Sequence, residues 1–387
     1  MLRHCRSMQK ISVSGPAELV TIVPFHLGFQ PERSVVIICL QEKSVGLVAR
    51  MDVLAHPQAA QAAAALMEPI ERAGATAVAL VAYEDEPGEA RPLADALGVA
   101  LGLAGIPVVE DLVVRGARWY CLRSDGCPDD GGLLPAPADV PAVAGYVAQG
   151  RSVLGSRRAV ASLVEPLPEA HDDHVAQAVE EWRHSYRRAR HSRFLSWIGG
   201  PAEGVDESTS SGEGVAAPDR RPAASRWEEL TDESLGAWGV LLRGEAPAAG
   251  LARLLPPLVG PLEDRDLRDA LIGWLCPGWL PTDEVDDRLL TRLHALVGEV
   301  DHGFVPEADD LVCDPRRVED ALLELCRVTP VRFAAPVLTI AGAYAWCRGD
   351  GTRAGLCVDR ALQLDPEYRL ARLIRVGLDH GVRMPAA

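Results

Sequence analysis

The stretch PVLTIAGAYAWCRGDGTRAGLCVDRALQLDP, residues 336–366, decides how the second half of this chain folds. Two helical segments flank the turn Gly349-Asp350-Gly351. Gly342 in the first and Ala354 in the second are small, so two antiparallel helices can approach closely there. Ala361 leaves room for a further helix, and Pro366 cannot continue the helix before it. The run ALQLDPEYRLARLI then predicts a third helix, with Asp365 as N-cap and Pro366 at its first position.

Gly342, Ala354, Ala361 and Pro366 fall at the offsets of the tetratricopeptide repeat, which recurs every ~34 residues. The stretch resembles one such hairpin. Leu338 stands where the repeat places its first aromatic, and Ala345 where it places a tyrosine. No second copy precedes it, and repeat arrays need about three units to bury a continuous core. The expectation is a hairpin closing an all-α domain. Leu338, Trp346 and Tyr368 lie in or beside that packing, as core or as contacts for a protein partner.

The rest of the chain narrows the function classes. It has 387 residues, 48% of them hydrophobic, and a net charge of −16. Its pI is about 5.1 and its mean hydropathy +0.04. That length predicts two domains. An acidic balance disfavours non-specific binding to nucleic acid or anionic membrane. No apolar run reaches the ~20 residues that span a bilayer, and none follows MLRHCRSMQK as a signal peptide would require. A cytoplasmic protein is expected, its nine cysteines mostly reduced. Lys10 and Lys43 are its only lysines. No glycine-rich loop ends in lysine, so there is no P-loop, and GxGxxG, HExxH and GxSxG are absent.

Residues 10–198 read as an α/β domain with trailing helices. AELVTIVPFHLG is a helix with Pro24 inside it and Gly28 as its stop. SVVIICL (34–40) is a buried strand, and VGLVARMDV (45–53) its hairpin partner. An alanine-rich helix ends at Gly74, TAVALVAY (76–83) is a strand, and another helix follows. IPVVEDLVVRG and ARWYCLRS pair by turning near Gly116. The pattern predicts a mixed sheet with flanking helices. Residues 199–225, rich in Gly, Ser, Pro and acids, read as a flexible linker. Residues 226–387 read as an all-α domain without strands, tetratricopeptide-like at 335–380.

Several residues could carry chemistry. Arg50 and Asp52 end the second strand, and Asp111 and Trp119 lie in the later strand pair. Together they are candidates for a ligand or enzyme site at the strand ends, or are fold-orienting ion pairs. Cys121 and Cys127 could hold a structural zinc, though four ligands are the norm; no cofactor is otherwise expected. Glu181-x-x-His184 and Glu299-x-x-His302 match half of a di-iron bundle motif. Arg183, Arg187, Arg188, Arg190 and Arg193 form a basic run beside Tyr186 and Phe194, the pattern of a nucleic-acid helix or of a solvated face.

Three segments carry a wider resemblance: ISVSGPAELVTIVPFHLGFQPERSVVIICL, RWYCLRSDGCP and AYAWCRGDGTRAGLCVDRALQLDPEYRLARLI. Together they resemble the bacterial family named domain of unknown function 4192, from about Ile11 to Gly381. In that family a cysteine pair often precedes the proline, and Gly126 here replaces the first of the two. The resemblance supports the fold boundaries and implies no activity. The function expected is a non-enzymatic interaction module that meets a protein partner through its C-terminal helices. The alternative is an enzyme or ligand binder at the strand ends.

Overall fold

The computed structural model describes residues 15–41, 44–122, 131–148, 150–198, 223–245, 250–280, 285–300 and 312–382. Helix α1 (Pro16–Leu27) precedes β1 (Ser34–Gln41) and β2 (Ser44–Asp52). Then come α2 (His56–Arg72), β3 (Ala77–Tyr83), α3 (Arg91–Leu103), β4 (Val108–Arg115), β5 (Arg118–Cys121) and β6 (Gly132–Leu133). The strands form one mixed sheet in the order β2-β1-β3-β4-β5-β6. Within it β3 and β4 run parallel, as their connection through α3 requires. The other neighbouring pairs are antiparallel.

The continuous apolar run of β1 follows from burial on both faces. Val35, Ile37 and Cys39 pack with Leu93 and Leu97 of α3 and with Ile70 of α2. Val36 and Ile38 pack with Val20, Val23 and Leu27 of α1. Pro24 cannot donate to the carbonyl one turn before it, that of Val20. The Tyr83 hydroxyl donates to this carbonyl instead, at 3.5 Å, and burial pushes the phenol pKa up. Gly28 ends α1 with φ 80°, its N–H donating to Pro24 O at 2.8 Å. The β4–β5 turn falls at Gly116, as expected, with φ 55°.

Helices α4 (Pro141–Ala148) and α5 (Arg157–Ala161) lead to the long α6 (Asp173–Ile198). After it come α7 (Ala223–Leu242), α8 (Leu251–Val259), α9 (Arg265–Leu275) and α10 (Asp287–Leu296). Two strands of two residues, β7 (Glu299–Val300) and β8 (Val312–Cys313), pair in parallel. The chain closes with α11 (Pro315–Val328), α12 (Ala334–Cys347), α13 (Gly351–Leu364) and α14 (Arg369–Asp379). The expectation of no strand after residue 226 is therefore corrected by this small ladder. Two residues per strand leave no alternating pattern to read. Helix α6 buries Val179 and Tyr186 in the same apolar cluster as the helices that follow it.

Helix α12 is apolar on every side and buried along its length, so it is the central helix of that cluster. A Cβ on Gly342 would stand 2.9 Å from Val358 Cγ2 and 3.3 Å from the Ala354 carbonyl. The small pair thus meets across α12 and α13 as its spacing predicts. The third helix starts later than expected. Asp365 Oδ1 accepts from the Glu367 N–H at 3.1 Å, forming a turn, and α14 begins at Arg369 with Tyr368 as N-cap. Aspartate before proline makes such side-chain turns as readily as it caps helices.

The two halves touch through named hydrogen bonds. Arg151 donates to Gly349 O at 3.5 Å, and Arg316 to Ala148 O at 2.9 Å. The Leu167 N–H donates to Arg327 O at 2.8 Å. No helix among the described residues is long and apolar enough to cross a membrane.

Candidate functional site

A groove of about 440 Å³ opens where α6, the end of α8, the start of α12 with the residues before it, and the α13–α14 turn converge. Its walls include Arg183, Glu263, Arg332, Phe333, Pro336 and Tyr368. Gly260 lets the α8 end approach α6; a Cβ there would lie 2.9 Å from Trp182 Cε3 and 3.3 Å from the Arg183 backbone nitrogen.

Two guanidiniums flank one ring. Arg332 Cζ lies 4.8 Å and Arg183 Cζ 5.5 Å from the centroid of Phe333, both within cation–π reach. Their charges are placed differently. Arg183 pairs with Glu180 at 2.5 Å and also with Glu263. Burial works to raise the Glu180 carboxyl, but Arg183 overrides it and holds the pKa below the usual range. Arg332 donates to Ala176 O at 2.8 Å and has no ion pair among the described residues. On the far wall, Tyr368 receives a hydrogen bond from Arg268 at 3.3 Å. Burial raises its phenol pKa against the pull of Arg268. The groove therefore offers a guanidinium without an ion pair among the described residues, its charge also felt by Glu180, beside aromatic and proline surface.

A family model matches residues 16–297 and 307–384 of this sequence. The chain belongs to the family described as Domain of unknown function (DUF4192). No curated protein and no solved structure matches it. Membership in DUF4192 agrees with the resemblance carried by the helix before Gly28 and by the Gly349-Asp350-Gly351 turn.

In this DUF4192 chain the residues singled out at the strand ends do not converge. Arg50 pairs with Asp52 at 2.6 Å and donates to Glu32 O at 3.1 Å. It stands opposite Val36, on the α1 side of the sheet. Asp111 alternates with Leu112 and so shares the opposite side with Val113. Strands β2 and β4 are three steps apart, about 14 Å. Trp119, one strand further, packs in the α1-side cluster. The Glu84 carboxylate accepts from the Gly88 and Ala90 N–H groups, each at 3.0 Å, and from Arg115 at 3.2 Å. These bonds orient the β3–α3 loop.

Cys121 is disulfide-bonded; Cys127, the other cysteine considered for zinc, lies outside the described residues, as does His302. No group of three His, Cys, Asp or Glu side chains able to hold a metal occurs among the described residues. Leu338 is 1% and Trp346 8% exposed, so the structure assigns both to the core rather than to a partner surface. Trp346 packs edge-on to Trp279 and donates to Val382 O at 3.1 Å. Of the three residues singled out for a partner, Tyr368 alone lines the groove.

The basic run on α6 is engaged by its surroundings. Arg190 pairs with Asp264 at 2.9 Å and Asp266 at 2.8 Å, and Arg193 lies 3.8 Å over the Trp227 ring. Sequence reasoning missed Arg332 and Phe333 as site residues. The groove joins residues from four separate segments, and no spacing within one segment announces it.

Proposed function

We propose that this protein is a cytoplasmic interaction module whose groove takes a partner segment bearing a carboxylate beside an apolar side chain. The observation that carries this reading is Arg332: a guanidinium stacked on Phe333, without an ion pair among the described residues, at the edge of a concavity walled by Pro336 and Tyr368. A guanidinium beside a flat apolar wall recognises a carboxylate and the side chain next to it. Glu263 and Asp365 on the same walls would repel a uniformly acidic segment, which favours a single carboxylate. A groove of this size suits one or two residues of an extended or helical segment.

Selection from a displayed random-peptide library tests the reading. The full-length protein is the bait, with the Arg332→Glu variant as the counter-selection. Enrichment of peptides with Asp or Glu next to a large apolar residue supports it. Peptides that bind wild type and variant equally, or no enrichment, would count against it.

A further inference from the structure

Cys276 and Cys347 meet where α9 ends against the last turn of α12. Cys276 caps α9 at its C-terminus, and its Sγ lies 3.7 Å from Ala343 O. Ala343 is one helical turn before Cys347, so Cys276 faces the stretch of α12 that carries Cys347. The two thiols thus lie close enough to influence one another. Cys276 is fully covered, whereas Cys347 is partly exposed and followed by Arg348.

The roles within the pair differ. Burial pushes the Cys276 thiol well up, and its S–H donates to Ala343 O. The neighbouring Cys276 thiol, helped by Arg348, draws the Cys347 thiol down. Cys347 therefore has more thiolate character and can be reached from outside. The other buried thiols lack this arrangement. Burial pushes Cys357 up to about 12, and Cys326 is raised as well.

We infer that Cys347 and Cys276 form a peroxide-oxidisable pair, with Cys347 as the attacking thiolate and Cys276 as the resolving thiol. Cys347 Sγ attacks one peroxide oxygen, the O–O bond breaks, and hydroxide leaves to take up a proton. The product is a sulfenic acid on Cys347. Cys276 Sγ then attacks that sulfur, the S–O bond breaks, and the thiol proton leaves with the hydroxyl as water. Two thiols and one peroxide give one disulfide and two waters, and the peroxide is the oxidant. The bond ties the end of α9 to the end of α12, beside the Trp279–Trp346 contact.

The experiment treats the reduced full-length protein with limiting hydrogen peroxide, alkylates it under denaturing conditions and maps its peptides without reduction. The expected result is a cross-linked peptide carrying Cys276 and Cys347, about 2 Da lighter than the sum of its parts. Both thiols should be lost from alkylation in equal measure, while Cys326 and Cys357 stay alkylatable. In the Cys276→Ser variant, Cys347 should be trapped by a sulfenic-acid probe and pass on to sulfinic acid. Oxidation of Cys347 in wild type with Cys276 left free would overturn the inference. So would a bridge from Cys347 to any other cysteine, or no change at either thiol. The wild-type mapping stands by itself if the variant does not fold.

Discussion

Gly342 of α12 lies directly against Val358 of α13, so close that a single added carbon would come within 2.9 Å of Val358 Cγ2. Val358 is fully buried and β-branched, and has no open space into which to turn. The next nearest atom, the Ala354 carbonyl at 3.3 Å, is backbone. Gly342→Leu should therefore force α12 and α13 apart and cost about 1–3 kcal/mol. Urea denaturation should show an earlier midpoint; an unchanged midpoint would mean that the two helices are not held this closely.

Asp350 starts α13 by accepting the Arg353 N–H on Oδ1 at 2.9 Å. Losing such a cap typically costs ~1 kcal/mol. Asp350→Ala should lower the thermal midpoint, and Asp350→Asn, which keeps an acceptor, should recover most of the loss. Equal destabilisation by both would show that the cap is not what Asp350 contributes.

Glu89 gives a pH-dependent expectation. Its carboxylate accepts from the Asp85 N–H at 2.6 Å and from Arg33 at 3.0 Å. The Asp85 N–H first, and Arg33 after it, hold the carboxyl below its ordinary pKa despite some desolvation. The folded pKa is lower than the unfolded one. The stabilisation is therefore full above the unfolded value, about 4, and disappears as pH falls through the folded value. Glu89→Gln should lower the denaturation midpoint at neutral pH, and the gap to wild type should close in acid. Arg33, whose φ of 37° is unusual for a non-glycine residue, loses its carboxylate partner in that variant. A gap that does not depend on pH would contradict the ion pair.

The sheet was legible in the sequence because its signals are local. SVVIICL reads as a strand because seven residues alternate between two buried faces, and Gly28 and Gly116 mark turns that need positive φ. The α12–α13 hairpin was legible because small residues recur at the contact. The start of α14 was misplaced because Asp365 can cap a helix or close a turn, and the same residue types serve both. The helical face suggested by the α6 arginines could not be judged locally, since Asp264, Asp266 and Trp227 come from elsewhere in the chain. Arg332 was passed over for the same reason: its stacking on Phe333 without an ion pair among the described residues is a property of tertiary structure.

Arg332 is proposed to anchor a carboxylate in the groove beside Phe333 and Tyr368. Titration calorimetry of a library-selected peptide against wild type, Arg332→Glu and Tyr368→Ala measures it most directly. The account predicts at least a tenfold weaker affinity for Arg332→Glu, or about 1.4 kcal/mol. It also predicts a similar loss when the peptide carboxylate is replaced by its amide, and a smaller one for Tyr368→Ala. An affinity unchanged by Arg332→Glu, with the fold intact, would contradict it.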